Sequence, residues 1–130
     1  MTTPLWEMIS ALTPDFARKN QLLAALPHTE FDRVFTGLEI VPLKLGQVLY
    51  ESGDRLDYVY FPVTTIVSLL YVMENGATAE IGVVGNDGIL GIAIFMGGDT
   101  TPNRAVVQSA GNALKMPAKN LMDEFTLGGV

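Results

Sequence analysis

Hydrophobic residues fall in two different rhythms along this chain. Up to Leu38 the rhythm is helical. Leu5, Ile9 and Leu12 recur on one face after Thr3-Pro4, where a capping residue precedes proline at the first helical position. Thr13-Pro14-Asp15 repeats that start signal, and Asn20 can cap a short turn carrying Leu22, Leu23 and Leu26. Pro27 opens a further helix in which Phe31, Val34, Phe35 and Leu38 keep the i, i+3, i+4, i+7 spacing. Gly37 stands near its end, where a glycine commonly closes a helix.

From Glu39 the rhythm shortens. The β-rich runs EIVPL, QVLYE, DYVYFP, TTIVSLLYVM and ATAEIGVV are separated by Gly46, Ser52-Gly53-Asp54, Asn75-Gly76 and Gly85-Asn86-Asp87-Gly88. Asn75-Gly76 between two such runs predicts a two-residue hairpin. Ala77, Ala79, Ile81 and Val83 alternate with Thr78, Glu80 and Gly82, which predicts a strand with its apolar face in a core. Further strands are expected from Arg104 to Ser109 and from Asn112 to Met116, and Pro117 then starts a helix bearing Leu121, Met122 and Phe125. Many short strands flanked by helices predict a mainly β fold, a jelly roll or β-roll (double-stranded β-helix). The expected division is a helical segment over 1–38, a β-roll core over 39–117 and the start of a C-terminal helical region over 118–130. The chain stops at FTLGGV as that helix finishes, which reads as a domain cut from something longer.

Composition narrows the chemistry. The chain is 48% hydrophobic and 17% charged, yet its longest apolar run, Ile89 to Met96, is interrupted by Gly91 and far shorter than the ~18 residues of a membrane helix. The start lacks a basic segment followed by an apolar one, so no secretory signal is expected. With no cysteine, disulfides, thiolate zinc sites and iron–sulfur clusters are excluded, which fits a cytoplasmic protein without a membrane role. A single histidine, His28, makes no multi-histidine metal site and has no nucleophile beside it, so neither a metal nor an enzyme is expected. The net charge is −6 and the eight basic residues are scattered, with only Arg18-Lys19 adjacent. A surface that grips nucleic acid directly is therefore not expected. Tyr58-Val59-Tyr60-Phe61 reads as strand rather than base-stacking platform, because no basic residues interleave with it. Asp54 and Asp57 read as turn residues.

The one stretch with candidate chemistry is GNDGILGIAIFMGGDTTPNRAVV, residues 85–107, which is rich in glycine and carries a single arginine. Such a segment closing on an arginine is one way to cradle a phosphate. Arg104 could pair bidentately with a phosphate or a carboxylate. The competing reading is an ion pair with Asp99 or Asp87 that pins the loop and fills the pocket unless an anionic ligand displaces it. Most of the glycines are turn formers; Gly91, Gly97 and Gly98 are the ones placed for close approach of a ligand.

The stretch LKLGQVLYESGDRLDYVYFP resembles the turn-and-strand signature of cyclic-nucleotide-binding domains. NQLLAALPHTEFDRV is similar to the helical bundle before that β-roll, and KMPAKNLMDEF to the helix after it, so the likeness runs from Asn20 to Phe125. The whole is similar to the N-terminal sensor domain of the Crp/Fnr family of bacterial transcription regulators. That family's phosphate-binding cassette reads roughly Gly-Glu-Leu-Gly, a short helix and loop, then Arg-Ser/Thr-Ala. The resemblance implies ligand contacts at Gly88, Ile89, Leu90, Gly91, Arg104 and Ala105, with loop contacts at Gly97, Gly98 and Asp99. Ile89 stands in place of the glutamate that holds a ribose hydroxyl, and Ala105 in place of the hydroxyl residue at the phosphate. The loop IAIFMGGDTTPN is longer than the usual cassette, and Thr65 stands where the family often has a turn glycine. Each unpaired polar group on a buried ligand costs ~1–3 kcal/mol, so cyclic AMP should bind weakly or not at all.

What the resemblance implies is a sensor for a small anionic or nucleotide-like effector, with no cofactor established. The parent would be a homodimer that reaches DNA only through a C-terminal domain missing here, since no helix-turn-helix pattern is visible. Ligand would shift the population between two packings of the cassette. An exposed apolar patch is expected where the missing helix packs, around Ala118 to Phe125. The alternatives are a degenerate dimerisation scaffold that binds nothing, and a cupin-like enzyme, which the lack of metal ligands disfavours.

Overall fold

The computed structural model describes residues 12–91, 101 and 103–127, the side chains of 124–127 excepted. The helix expected from Thr3-Pro4 lies outside these residues. Three short helices lead in: α1 (Pro14–Ala17), α2 (Gln21–Ala24) and α3 (His28–Phe35). The Phe16 N–H donates to Thr13 Oγ1 at 3.1 Å, and the N–H groups of Leu22 and Leu23 donate to Asn20 Oδ1 at 3.0 and 3.2 Å. Both expected caps are therefore made. On α3, Phe31 and Val34 are buried, and the Arg18 guanidinium lies 4.1 Å over the Phe31 ring.

Seven strands follow, β1 (Glu39–Leu43), β2 (Val48–Tyr50), β3 (Tyr58–Pro62), β4 (Ile66–Val72), β5 (Thr78–Val84), β6 (Arg104–Ser109) and β7 (Gly111–Pro117), and then α4 (Ala118–Leu127). They form two antiparallel sheets, ordered β1-β7-β3 and β2-β6-β4-β5. One apolar core lies between the helices and the three-stranded sheet, around Leu23, Phe31, Val59, Phe61, Leu114 and Met116. A second, around Tyr50, Val67, Leu90, Ala105, Val107 and Ala113, lies between the sheets. This is the mainly β roll with flanking helices that the strand rhythm predicts.

Of the four places where the chain passes from one sheet to the other, two lie side by side. The β3–β4 crossover runs beside the β6–β7 crossover, where the Val63 and Thr64 N–H groups both donate to the Asn112 carbonyl at 3.0 Å. The Asn112 N–H answers to Thr64 Oγ1 at 2.8 Å, and the buried Thr65 hydroxyl donates to the Ser109 carbonyl at 2.8 Å. Thr65 thus uses a side chain to fasten this corner.

Two local expectations need correction. Ile81 and Val83 do not enter the core; they are 57% and 56% exposed. Gly82 pairs with Leu69 and Glu80 with Leu70, leaving Ile81 as an extra residue. That bulge flips the alternation, so Val84 instead packs against the second core. Asn75-Gly76 makes a hairpin, but with a three-residue connection. Met73 and Ala77 close it by a 2.8 Å bond, and Gly76 alone takes positive φ, at 85°. A two-residue type I′ turn would need positive φ at two positions, whereas no non-glycine among the described residues has it. Gly37 follows the end of α3 as expected, without taking positive φ. A Cβ there would meet Met116 Cε and Asn120 Nδ2 at 3.3 Å each, so its smallness serves the approach of α4. On α4, Leu121 is buried and Met122 exposed; the neighbouring Phe125 side chain lies outside the description.

Candidate functional site

The segment that follows β5 is fastened at both described ends. At its entry the Asn20 side chain, fully buried, donates from Nδ2 to the Pro62 carbonyl at 2.8 Å and to the Gly88 carbonyl at 2.9 Å. The Gln21 N–H donates to the Asn86 carbonyl at 2.6 Å. The helix cap therefore doubles as a clamp on the 85–88 turn. Ile89 then packs against the first core and Leu90 is buried in the second. Leu90 and Tyr60 exchange backbone hydrogen bonds of 2.8 and 3.1 Å, an isolated bridge that lays the segment along β3. Gly91 has φ of 101°, and a Cβ on it would meet Val59 Cγ1 at 3.1 Å. This glycine is required by conformation and space together. Gly97, Gly98 and Asp99 lie outside the described residues.

At the return end, Thr101 is buried. Its N–H donates to the Asp54 carbonyl at 3.0 Å, its carbonyl accepts from the Gly53 N–H at 2.7 Å, and its side chain is hydrogen-bonded to the Tyr50 phenol. Arg104 opens β6. Its Nε donates to Glu51 Oε1 at 2.5 Å, with the two side chains 32% and 48% exposed. Glu51, rather than Asp87, is thus its described partner. The reason is register: Tyr50 faces Ala105 across β2 and β6, which brings Glu51 beside Arg104. Ala105 itself is fully buried in the second core.

Of the expected contact residues, Leu90 and Ala105 meet in one core cluster, Ile89 joins the other, and strand alternation sends Arg104 to the face opposite Ala105. The residues that sequence reasoning passed over are Asn20 as a clamp, Glu51, Tyr50, Tyr60 and Thr101. Asn20 carried a signal: of the good capping residues, asparagine alone combines the accepting oxygen with two spare donors. Glu51 carried none, because its partner is 53 positions away.

A cavity of about 180 Å³ lies beside this arrangement, lined by Tyr50, Tyr58, Tyr60, Asp54, Arg55, Asp57, Leu49 and Leu56. Asp54 is a turn residue as expected: its Oδ2 accepts from the Glu51 N–H at 2.8 Å. Burial pushes the Tyr50 phenol up to about 12 and raises Tyr60. A phenol harder to ionise when folded contributes stability that is complete below its ordinary value of 10.0 and lost as pH rises towards about 12. Denaturant unfolding is therefore expected to show stability falling through that window, with a shallower fall for Tyr50→Phe. Equal slopes would contradict it.

The cyclic nucleotide-binding domain family matches residues 40–126. The chain belongs to this family. None of the curated protein sequences matches it. Among solved structures, this cyclic nucleotide-binding domain is similar to the N-terminal domain of a transcriptional regulator from Streptomyces coelicolor A3(2), at 21% identity and a TM-score of 0.69, over 87% of this chain and 79% of that one. It is also similar to the sensor domain of the transcriptional regulator DNR from Pseudomonas aeruginosa, at 14% identity and a TM-score of 0.72, over 86% and 80%. A third likeness is to the regulatory subunit of a cAMP-independent protein kinase A from Trypanosoma cruzi bound to guanosine, at 14% identity and a TM-score of 0.72, over 82% and 38%. These likenesses carry the fold of the β-roll. No helix among the described residues of the domain is long and apolar enough to cross a membrane.

Proposed function

We propose that this cyclic nucleotide-binding domain is the ligand-sensing part of a Crp/Fnr-type transcription regulator. In this reading it is not an enzyme, the parent is a homodimer, and DNA is reached through a different domain. The effector is a small anion or nucleotide-like molecule met by Arg104, and Glu51 holds the guanidinium until it arrives. The carrying observation is the Arg104–Glu51 pair at the return end of the cassette segment, on two partly exposed side chains. Such a pair is worth only ~0–1 kcal/mol, so an anion offering bidentate geometry can displace it. Ile89 on the first core and Ala105 inside the second offer no polar group to a ribose or a phosphate. Cyclic AMP should therefore bind poorly.

Calorimetric titration with inorganic phosphate and with cyclic AMP tests this reading. Glu51→Gln should tighten phosphate by up to about fivefold, the worth of an exposed ion pair, and Arg104→Ala should abolish its binding. Indistinguishable titrations for all three proteins would favour the dimerisation scaffold that binds no effector. Sub-micromolar cyclic AMP affinity would overturn the reading of Ile89 and Ala105.

A further inference from the structure

The cavity between the β2–β3 connection and β3 is separate from the Arg104–Glu51 contact and has a chemistry of its own. We infer that it is a binding site for a compact organic ammonium, an amine on a body about one ring in size, received by Tyr58, Tyr60 and Asp57. Its volume of about 180 Å³ is enough for one ring, since a cavity of roughly 150 Å³ accommodates benzene. Among its lining side chains two carboxylates, Asp54 and Asp57, face one cation, Arg55. Asp54 spends one oxygen on the Glu51 N–H, and Arg55 reaches Asp57 only at 3.9 Å, with both side chains largely exposed. The Asp57 carboxylate is thus free to accept from a better-placed ammonium. Tyr50, Tyr58 and Tyr60 complete the lining, and the face of a tyrosine ring attracts cations. The molecule already uses this property: Lys115 Nζ lies 4.6 Å from the centroid of the Tyr58 ring.

The walls of this cavity are also the supports of the cassette segment. Tyr60 pairs with Leu90 through the backbone, and Thr101 is bonded to Tyr50, Gly53 and Asp54. A ligand that orders these walls acts on both described ends of the segment at once.

The test is an amide chemical-shift titration of the whole chain with benzylamine, against benzyl alcohol as its neutral counterpart and inorganic phosphate as an anion. Benzylamine is expected to give saturable shifts at residues 53–60 and at Thr101. Benzyl alcohol should bind at least about fivefold more weakly, and Asp57→Asn should weaken benzylamine by about fivefold. The exposed Asp57 side chain makes that variant safe for folding, and Arg104→Ala should leave amine binding intact. Equal shifts from the alcohol, an unaffected Asp57→Asn, phosphate shifting these amides in place of the amine, or loss of amine binding in Arg104→Ala would each overturn the inference.

Discussion

Replacing Asn20 with alanine is expected to destabilise the domain by about 3 kcal/mol, the sum of a lost helix cap and two buried carbonyls losing their donor. The side chain makes four hydrogen bonds from a fully buried position: two N–H groups of α2 donate to Oδ1, while Nδ2 donates to Pro62 and Gly88. Two other variants separate these roles. Asn20→Ser keeps an accepting oxygen for the cap but has no amide group to span the two carbonyls, so it should lose most of the clamp. Asn20→Asp keeps the cap and turns an anionic oxygen towards two carbonyl oxygens, so it should do at least as much harm as alanine. Denaturant unfolding of the three variants gives the order. If Asn20→Ser came within about 0.5 kcal/mol of the unmodified domain, the clamp would be energetically idle. The functional consequence is local: freeing Gly88 loosens the entry to the segment that ends at Arg104.

Gly111→Ala is expected to cost a similar amount, about 3 kcal/mol, for a different reason. Gly111 does not have positive φ, so no conformational argument applies. Space alone decides. A Cβ would lie 2.5 Å from Thr64 C, 2.6 Å from Thr64 O and 2.7 Å from Thr65 N, all backbone atoms that cannot rotate away. The two crossovers would have to part, straining the bonds that join Val63, Thr64 and Asn112. Gly82→Ala is the control. Nothing lies within 4 Å of its Cβ position and its φ is ordinary, so it should be neutral or slightly stabilising. Thermal unfolding that ranked Gly82→Ala as the more damaging change would refute the crossover argument.

Individual elements show how far local chemistry reaches. EIVPL became β1 at its expected bounds, and Thr13 and Asn20 cap the helices they precede, because caps and strand propensity act over a few neighbouring residues. The family resemblance was legible for a related reason: turn residues at fixed offsets survive wherever the same roll is built. The face of β5 was not legible. Its alternation points Ile81 and Val83 inward, and one bulge opposite Leu69 and Leu70 reverses it. A bulge depends on the partner strand, which a linear pattern does not contain.

The candidate site divides along the same line. That a glycine-rich segment closes on Arg104 is a matter of order along the chain. Its partner Glu51 followed from the pairing of β2 with β6, and the walls of the cavity from the bonding of Tyr60 to Leu90 and of Tyr50 to Thr101. Sequence by itself determined where helices and strands begin, which turns need glycine, and the family to which the roll belongs. Only the tertiary structure decided that Asn20 is a clamp, that Gly111 marks a crossing of two backbones, and which carboxylate meets the arginine. Those contacts join residues 42 to 68 positions apart in the case of Asn20, and 53 in that of Arg104. Local propensity acts over a turn or two of chain, whereas contacts at such separations exist only once both sheets have closed around the core.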